Sequence, residues 1–277
     1  MLSSAALAPV ALCVVVRRSR RRDVALCALN MWAYVAAYEM PHDDPGRLEA
    51  RVRVRYPIVI DRVLGGGVPP TLRLQRAFST PGATNRFERL LVWCHWIWFA
   101  VPHASVAYVL ARDSSRFASA AARMYAVFDL GAVFYWAVPT APPWWAAEHA
   151  ALQDCPPLEL RRMMIEYGER FWGNRWPDLY DVLGGNPLAA MPSLHLATSL
   201  MAAHLLSEVG PASGSLGWGY VTILGLALVY LGEHYAVDLI GGAALAETVR
   251  TQAPRLAPVV RRLSGVLQTL EARAAAE

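Results

Sequence analysis

The chain contains no lysine: all 26 of its basic residues are arginine, the bias of a GC-rich genome. Charge of either sign is scarce. Only 17% of the 277 residues are charged, where a soluble domain carries roughly 25%. The net charge of +4 is modest and no basic run is interleaved with aromatics, so nothing here points to nucleic acid. Cysteine is nearly absent. Cys13, Cys27, Cys94 and Cys155 have no metal-ligand spacing and do not form a disulfide framework. Internal repeats and low-complexity tracts are also missing. What the chain has instead is apolar surface: 55% hydrophobic residues and a mean hydropathy of +0.27. Ten Trp and eleven Tyr suit a protein with two water–lipid interfaces.

Apolar segments lie at about 24–40, 90–111, 118–139, 189–207, 216–233 and 236–250. Several approach the roughly 20 residues a helix needs to cross the hydrocarbon. The expected fold is all-α: a polytopic membrane bundle of about six transmembrane helices with interfacial helices. The run "MLSSAALAPVALCVVV" precedes its arginines instead of following them, the wrong order for a secretory signal, and is a leader or a seventh span. Three regions follow: 1–89 with the first span and an interfacial part, a 90–250 membrane core, and a 251–277 amphipathic tail on the cytoplasmic surface.

Counting spans places "RRSRRR", Arg112, Arg116 and the Arg-rich C-terminus on one side, which the positive-inside rule makes cytoplasmic. The connections 41–89 and 140–188 then lie outside. The first carries nine Arg against the rule, but long loops weigh less in it. The protein is expected to be multi-pass in the cell membrane. Within the first connection, "LEARVRVRYPIVIDRV" (48–63) reads either as an interfacial amphipathic helix or, from its period of two, as a short strand.

Two clusters carry the chemistry. "MPSLH" opens the fourth span and "HYAVD" follows the fifth, so Ser193, His195, His234 and Asp238 meet at one membrane face. This convergence survives inversion of the topology. Pro192 suits the first turn of a helix, whose free amides and positive dipole end attract an anion. His234 and Asp238, four apart, share a helix face, and the carboxylate can fix the imidazole's tautomer. Two His, one Ser and one Asp around an anion site describe phosphoryl transfer through a phosphohistidine. His234 attacks phosphorus, Asp238 orients it and His195 protonates the leaving oxygen, while Ser193 and the helix amides hold phosphate oxygens. No metal or other cofactor is required. A metal site made of His195, His234 and Asp238 is the competing arrangement.

"APPWW" (141–145), "PSLH" (192–195) and "HYAVDLIGG" (234–242) together resemble the type-2 phosphatidic acid phosphatase superfamily. Within it they are most similar to the inositol phosphorylceramide synthase, or inositolphosphotransferase, branch. The resemblance spans about 90–250. It implies a six-helix bundle, lipid-phosphate chemistry at the membrane surface, and the same roles for His234, Asp238 and His195. The superfamily's Lys and Arg-Pro motif is absent, and its Ser-Arg pair is replaced by Ala227 and Leu228. The phosphate-binding arginine must come from elsewhere. Arg86, Arg89, Arg161, Arg162, Arg170 and Arg175 lie on the right side, with Arg161 and Arg170 the candidates taken forward.

The remaining polar residues have simpler expected roles. His95, with Trp96 and Trp98, belongs to an aromatic belt or touches substrate. "VPTAPPWW" sets two Trp at the headgroups or shapes the cleft. His103 and His204 are too deep to share the site. Arg123 snorkels, Asp129 needs a buried partner, and Gly241 and Gly242 permit close helix packing. The expected activity is a membrane phosphotransferase acting on a phospholipid or lipid phosphate. A lipid phosphate phosphatase and a non-enzymatic transporter or assembly subunit are the alternatives.

Overall fold

The apolar runs fold as helices because no water is present in hydrocarbon to satisfy an open backbone. The computed structural model describes residues 2–40, 44–80, 82, 84–149 and 158–274. Cys155 and Asp154 lie outside these. The described residues form α1 (Leu2–Val15), α2 (Arg20–Glu39), α3 (Pro45–Glu49), α4 (Arg55–Leu64), α5 (Pro70–Phe78), α6 (Arg86–Trp96) and α7 (Val101–Arg112). They continue through α8 (Phe117–Ala137), α9 (Pro143–Glu148), α10 (Met163–Trp172), α11 (Trp176–Gly184), α12 (Leu194–Val209), α13 (Pro211–Tyr230) and α14 (Ala236–Ala274). Among the described residues there is no strand longer than an isolated bridge. The protein is an all-α membrane bundle.

Two helices, α8 and α13, are each long and apolar enough to cross a membrane. α6 and α7 meet the same measures only as a pair, bent by 58° at the break between them. The expected run 90–111 is therefore a broken helix. Pro102 has no N–H to continue the ladder, and a 3₁₀ turn at Ile97–Phe99 takes up the break. The other expected spans are helical too but fall short by those measures. α2 opens on Arg20, Arg21, Arg22 and Asp23, α12 has 16 residues, and α14 carries charge along its 39 residues. α14 passes through position 250 without a break, so the tail continues the last core helix.

α12 is the hub, packed against α7, α8, α13 and α14. Its Ala197, Met201 and Leu205 meet Met124, Val127 and Phe128 of α8 and Leu245, Ala246 and Val249 of α14 in the main core. Such small and medium residues let helices approach closely where hydrophobicity no longer drives association. Asp129 is exposed on α8, with Asn30 of α2 beside it.

One end of the bundle is covered by a backbone stitch. Arg53 N–H donates to Pro139 O (2.8 Å), Thr140 N–H to Leu188 O (2.8 Å) and Ala190 N–H to Thr140 O (3.1 Å). The period of two in 48–63 is thus real for the five residues 51–55. Val52 and Val54 are buried, while Arg51, Arg53 and Arg55 are exposed. From Arg55 the chain is helical and Ile58 packs inward, so the segment is anchored in protein rather than lying only on lipid.

Candidate active site

The stitched end is where the two motif clusters meet, and named contacts hold them in register. Ser193 N–H donates to Asp238 backbone O (3.0 Å) and Tyr135 OH to Pro192 O (2.9 Å). Gly242 lies against Ser193, where a Cβ would overlap the carbonyl oxygen, so only glycine allows this approach. Gly232 takes φ +77 in the turn after α13, a conformation that favours glycine, and sends the chain back into α14. Asp61, from α4, accepts the N–H groups of Ala236 (2.9 Å) and Val237 (3.0 Å) and so caps α14. Burial pushes the Asp61 carboxyl above the usual carboxylate range, and the two amide donors oppose that shift. The cap places a fully buried carboxylate beneath the start of α14, which carries Asp238, while His234 lies in the turn just before the helix.

The three expected catalytic groups form a line. Asp238 Oδ2 lies 3.5 Å from His234 Nδ1 and accepts the Tyr235 N–H at 2.9 Å. His234 Nε2 lies 3.1 Å from His195 Nδ1. The two nitrogens of His234 face opposite ways, one to the carboxylate and one to the second imidazole. A metal ion needs ligands that converge, and among the described residues no three His, Cys, Asp or Glu do so. A carboxylate, an imidazole and a second imidazole in this order have the geometry that nucleophilic attack with proton transfer requires.

The other expected binding residues sit apart from this line. Ser193 is fully buried, and its hydroxyl accepts the Leu196 N–H (3.3 Å) as the cap of α12. The Arg161 guanidinium bridges Glu88 (3.1 Å) and Glu166 (2.5 Å), tying α6 to α10. Arg170 is exposed on α10. Arg162 comes nearer. It covers the Trp144 ring at 4.4 Å, donates to Tyr180 OH (2.9 Å) and pairs with Glu148.

Trp144, Tyr180 and Glu233 line a cavity of about 540 Å³ that also contains His95, His195 and His234. That volume is typical of a small-molecule site. Aromatic and apolar side chains make most of its wall, running along α2, α7 and α8 past Tyr34, Met31 and Phe128. His103 lies on this wall, stacked on Phe128, so the cavity reaches deeper than the expected depth of that residue allowed. The bend between α6 and α7 opens this side. Trp145 points into the core and stacks on His149, so only Trp144 of the pair faces the cavity. Desolvation pushes the Glu233 carboxyl above its usual range, against Arg162 and His234 nearby.

His95 has a larger place than a belt residue. Its ring packs on His195 with centroids 4.7 Å apart, and Trp98 approaches His195 at 4.1 Å. The span count that put the start of the 90–111 run at the active face was the signal for it. Asp61 and Glu233 had none, since neither belongs to a motif.

A sequence model of the PAP2 superfamily matches residues 60–249. The chain is similar to the inositol phosphorylceramide synthase catalytic subunit aur1 of Schizosaccharomyces pombe, 29% identical over 163 residues. It is also similar to the inositol phosphorylceramide synthase of Candida albicans, 28% identical over 165 residues. These matches cover 54% and 56% of the chain but only 37% and 34% of the two relatives. No solved structure matches significantly.

Proposed function

The chain belongs to the PAP2 superfamily, and from that premise we propose that it is a membrane phosphotransferase that moves a phosphate-linked headgroup between lipids through a phosphohistidine. The observation that carries the reading is the Asp238–His234–His195 line at the wall of an apolar cavity large enough for lipid. His234 Nε2 attacks phosphorus and the bond from phosphorus to the leaving lipid alcohol breaks. His195 gives that alkoxide its proton. Asp238 stabilises the charge that develops on the His234 ring at Nδ1. The acceptor hydroxyl then attacks the phosphohistidine, loses its proton to His195 and releases His234. The 3.1 Å His195–His234 contact lies where phosphorus must enter, so substrate separates the two rings.

Phosphoinositol is the headgroup suggested by the relatives' names, and a long-chain alcohol is the acceptor that fits an apolar cavity. Arg162, next to Trp144, Tyr180 and Glu233, is the guanidinium best placed for the headgroup. The arginines at the opposite end, Arg112, Arg116 and those of 17–22, support an extracytoplasmic site in the cell membrane. The test uses protein reconstituted in vesicles with headgroup-labelled phosphatidylinositol and ceramide. Transfer of label to ceramide and an acid-labile phosphoenzyme, both lost in His234→Ala, are expected. Release of labelled inositol phosphate to water without transfer, or of inorganic phosphate from phosphatidic acid in a parallel assay, identifies a hydrolase instead. No turnover of any lipid phosphate by wild-type protein overturns the enzyme.

A further inference from the structure

His95 is a buried polar side chain without a partner. It is 7% exposed, and neither Nδ1 nor Nε2 makes a hydrogen bond. Buried polar groups are rarely left unpaired, so such a group calls for an explanation. It lines the same cavity as His195 and His234, and its ring is held against His195 at 4.7 Å.

The cavity also lacks a component that phosphoryl transfer needs. Charge builds on the non-bridging oxygens as phosphorus is attacked, and preorganised donors aimed at them supply much of the catalysis. No arginine lines the cavity among the described residues. Two donors flanking the histidine pair are engaged elsewhere: Tyr135 OH is bonded to Pro192 O and Trp98 Nε1 donates to Thr198 Oγ1 (2.9 Å). The Ser193 hydroxyl, which accepts the Leu196 N–H, is fully buried and does not line the cavity; Trp176 Nε1 is the other unpaired donor in the wall. Ala227 and Leu228, one turn before the His234 loop, are apolar and fully buried.

We infer that His95 supplies this donor: its ring N–H hydrogen-bonds a non-bridging oxygen of the phosphoryl group as His234 attacks. The inference rests on the phosphotransfer reading above. It accounts for the unpaired ring N–H, which the phosphoryl oxygen satisfies only in the loaded site. It also accounts for the stacking, since the His195 ring fixes the His95 edge relative to the leaving oxygen. A neutral N–H donor in a water-poor cavity replaces a cation whose desolvation would be costly.

Two substitutions separate donation from packing. His95→Phe keeps a ring against His195 and removes the N–H donor. His95→Gln keeps an N–H and removes the ring. With full-length protein in vesicles, His95→Phe is expected to lower kcat on the order of 10²-fold with KM changed little. Orthovanadate, a mimic of the pentacoordinate phosphoryl group, is expected to inhibit it correspondingly less well. His95→Gln is expected to retain at least about tenfold more kcat than His95→Phe, with near wild-type vanadate sensitivity. His95→Asn serves as the donor-bearing variant if the glutamine protein does not fold. A phenylalanine variant as active as the glutamine variant, or within tenfold of it, overturns the inference and leaves His95 as a packing residue. If His234→Ala is inactive while His95→Phe is normal, only this inference fails. If His234→Ala is active, the phosphotransfer reading itself fails.

Discussion

Two histidine–carboxylate pairs lie at opposite ends of the α12–α14 packing, His204–Glu247 across the two helices and His234–Asp238 at the start of α14, and they differ in what surrounds them. At the end away from the site, His204 Nε2 lies 2.6 Å from Glu247, which also pairs with Arg250 at 2.6 Å. Glu247 is 39% exposed, and no cavity-lining residue touches the pair. Arg123 and Glu208 form a second ion pair nearby at 2.6 Å. At the site end, the His234–Asp238 separation is longer, the carboxylate is fully buried, and a second histidine replaces the arginine. The same residue types thus make a satisfied ion-pair network at one end and an uncompensated line at the other. Reactivity follows from incomplete satisfaction inside a water-poor wall, not from the presence of a His and an acid.

The sharpest way to break this comparison is to remove each histidine. His234→Ala should lower headgroup transfer on the order of 10⁴-fold or more, whereas His204→Ala should leave it within about threefold, both read as initial rates in vesicles. Loss of activity in His204→Ala would mean that the two ends are not independent. Asp238→Asn keeps the shape but not the charge that stabilises the His234 ring. Turnover should fall about 10²–10⁴-fold while the protein remains folded, as its elution profile would show.

Stability tests sharpen the comparison with smaller effects. Gly242→Ala forces α14 away from the Ser193 carbonyl. It should cost about 1–3 kcal/mol of stability in a detergent melt and lower transfer by displacing His195 from His234. Asp61→Asn weakens the cap on Ala236 and Val237 and should cost roughly 1 kcal/mol near pH 4. Because burial raises the Asp61 pKa, the folded state holds this proton more tightly than the unfolded chain. The wild type therefore loses stability as pH rises from the usual carboxylate value through the raised one, and the variant should show less of that slope. The smallest effect is expected for Glu247→Gln, roughly 0.5 kcal/mol or less, because its ion pairs are largely exposed.

Much of the site was legible in the linear chain. Apolar runs with the length of a span located the core helices, and counting them brought His195 to His234 and Asp238 across about forty residues. That inference uses only parity: two ends of consecutive spans must share a face. Close packing at Gly242 was also legible, because a glycine pair on a helix beside a motif has few other uses. What was hidden depends on angles and on partners remote in sequence. His103 reaches the cavity because α6 and α7 bend by 58°. Arg161, a plausible phosphate ligand by position, is held by Glu88 from α6 and Glu166 five residues on. Trp144 and Trp145 are indistinguishable as letters, yet one lines the cavity and the other enters the core.

The amino-acid order by itself determined an all-α membrane bundle and the shared face of its two motif clusters. Both follow from local physics, since hydrocarbon admits only closed hydrogen-bonding and a helix of known rise fixes where each span begins. Tertiary structure alone decided which polar groups remain unsatisfied. Asp61 became a cap, Ser193 turned to its own helix, Arg161 was neutralised, and His95 was left buried beside His195 with both nitrogens free. Satisfaction is a property of the neighbours a side chain finds in space, and in this bundle those neighbours come from helices far apart in the chain.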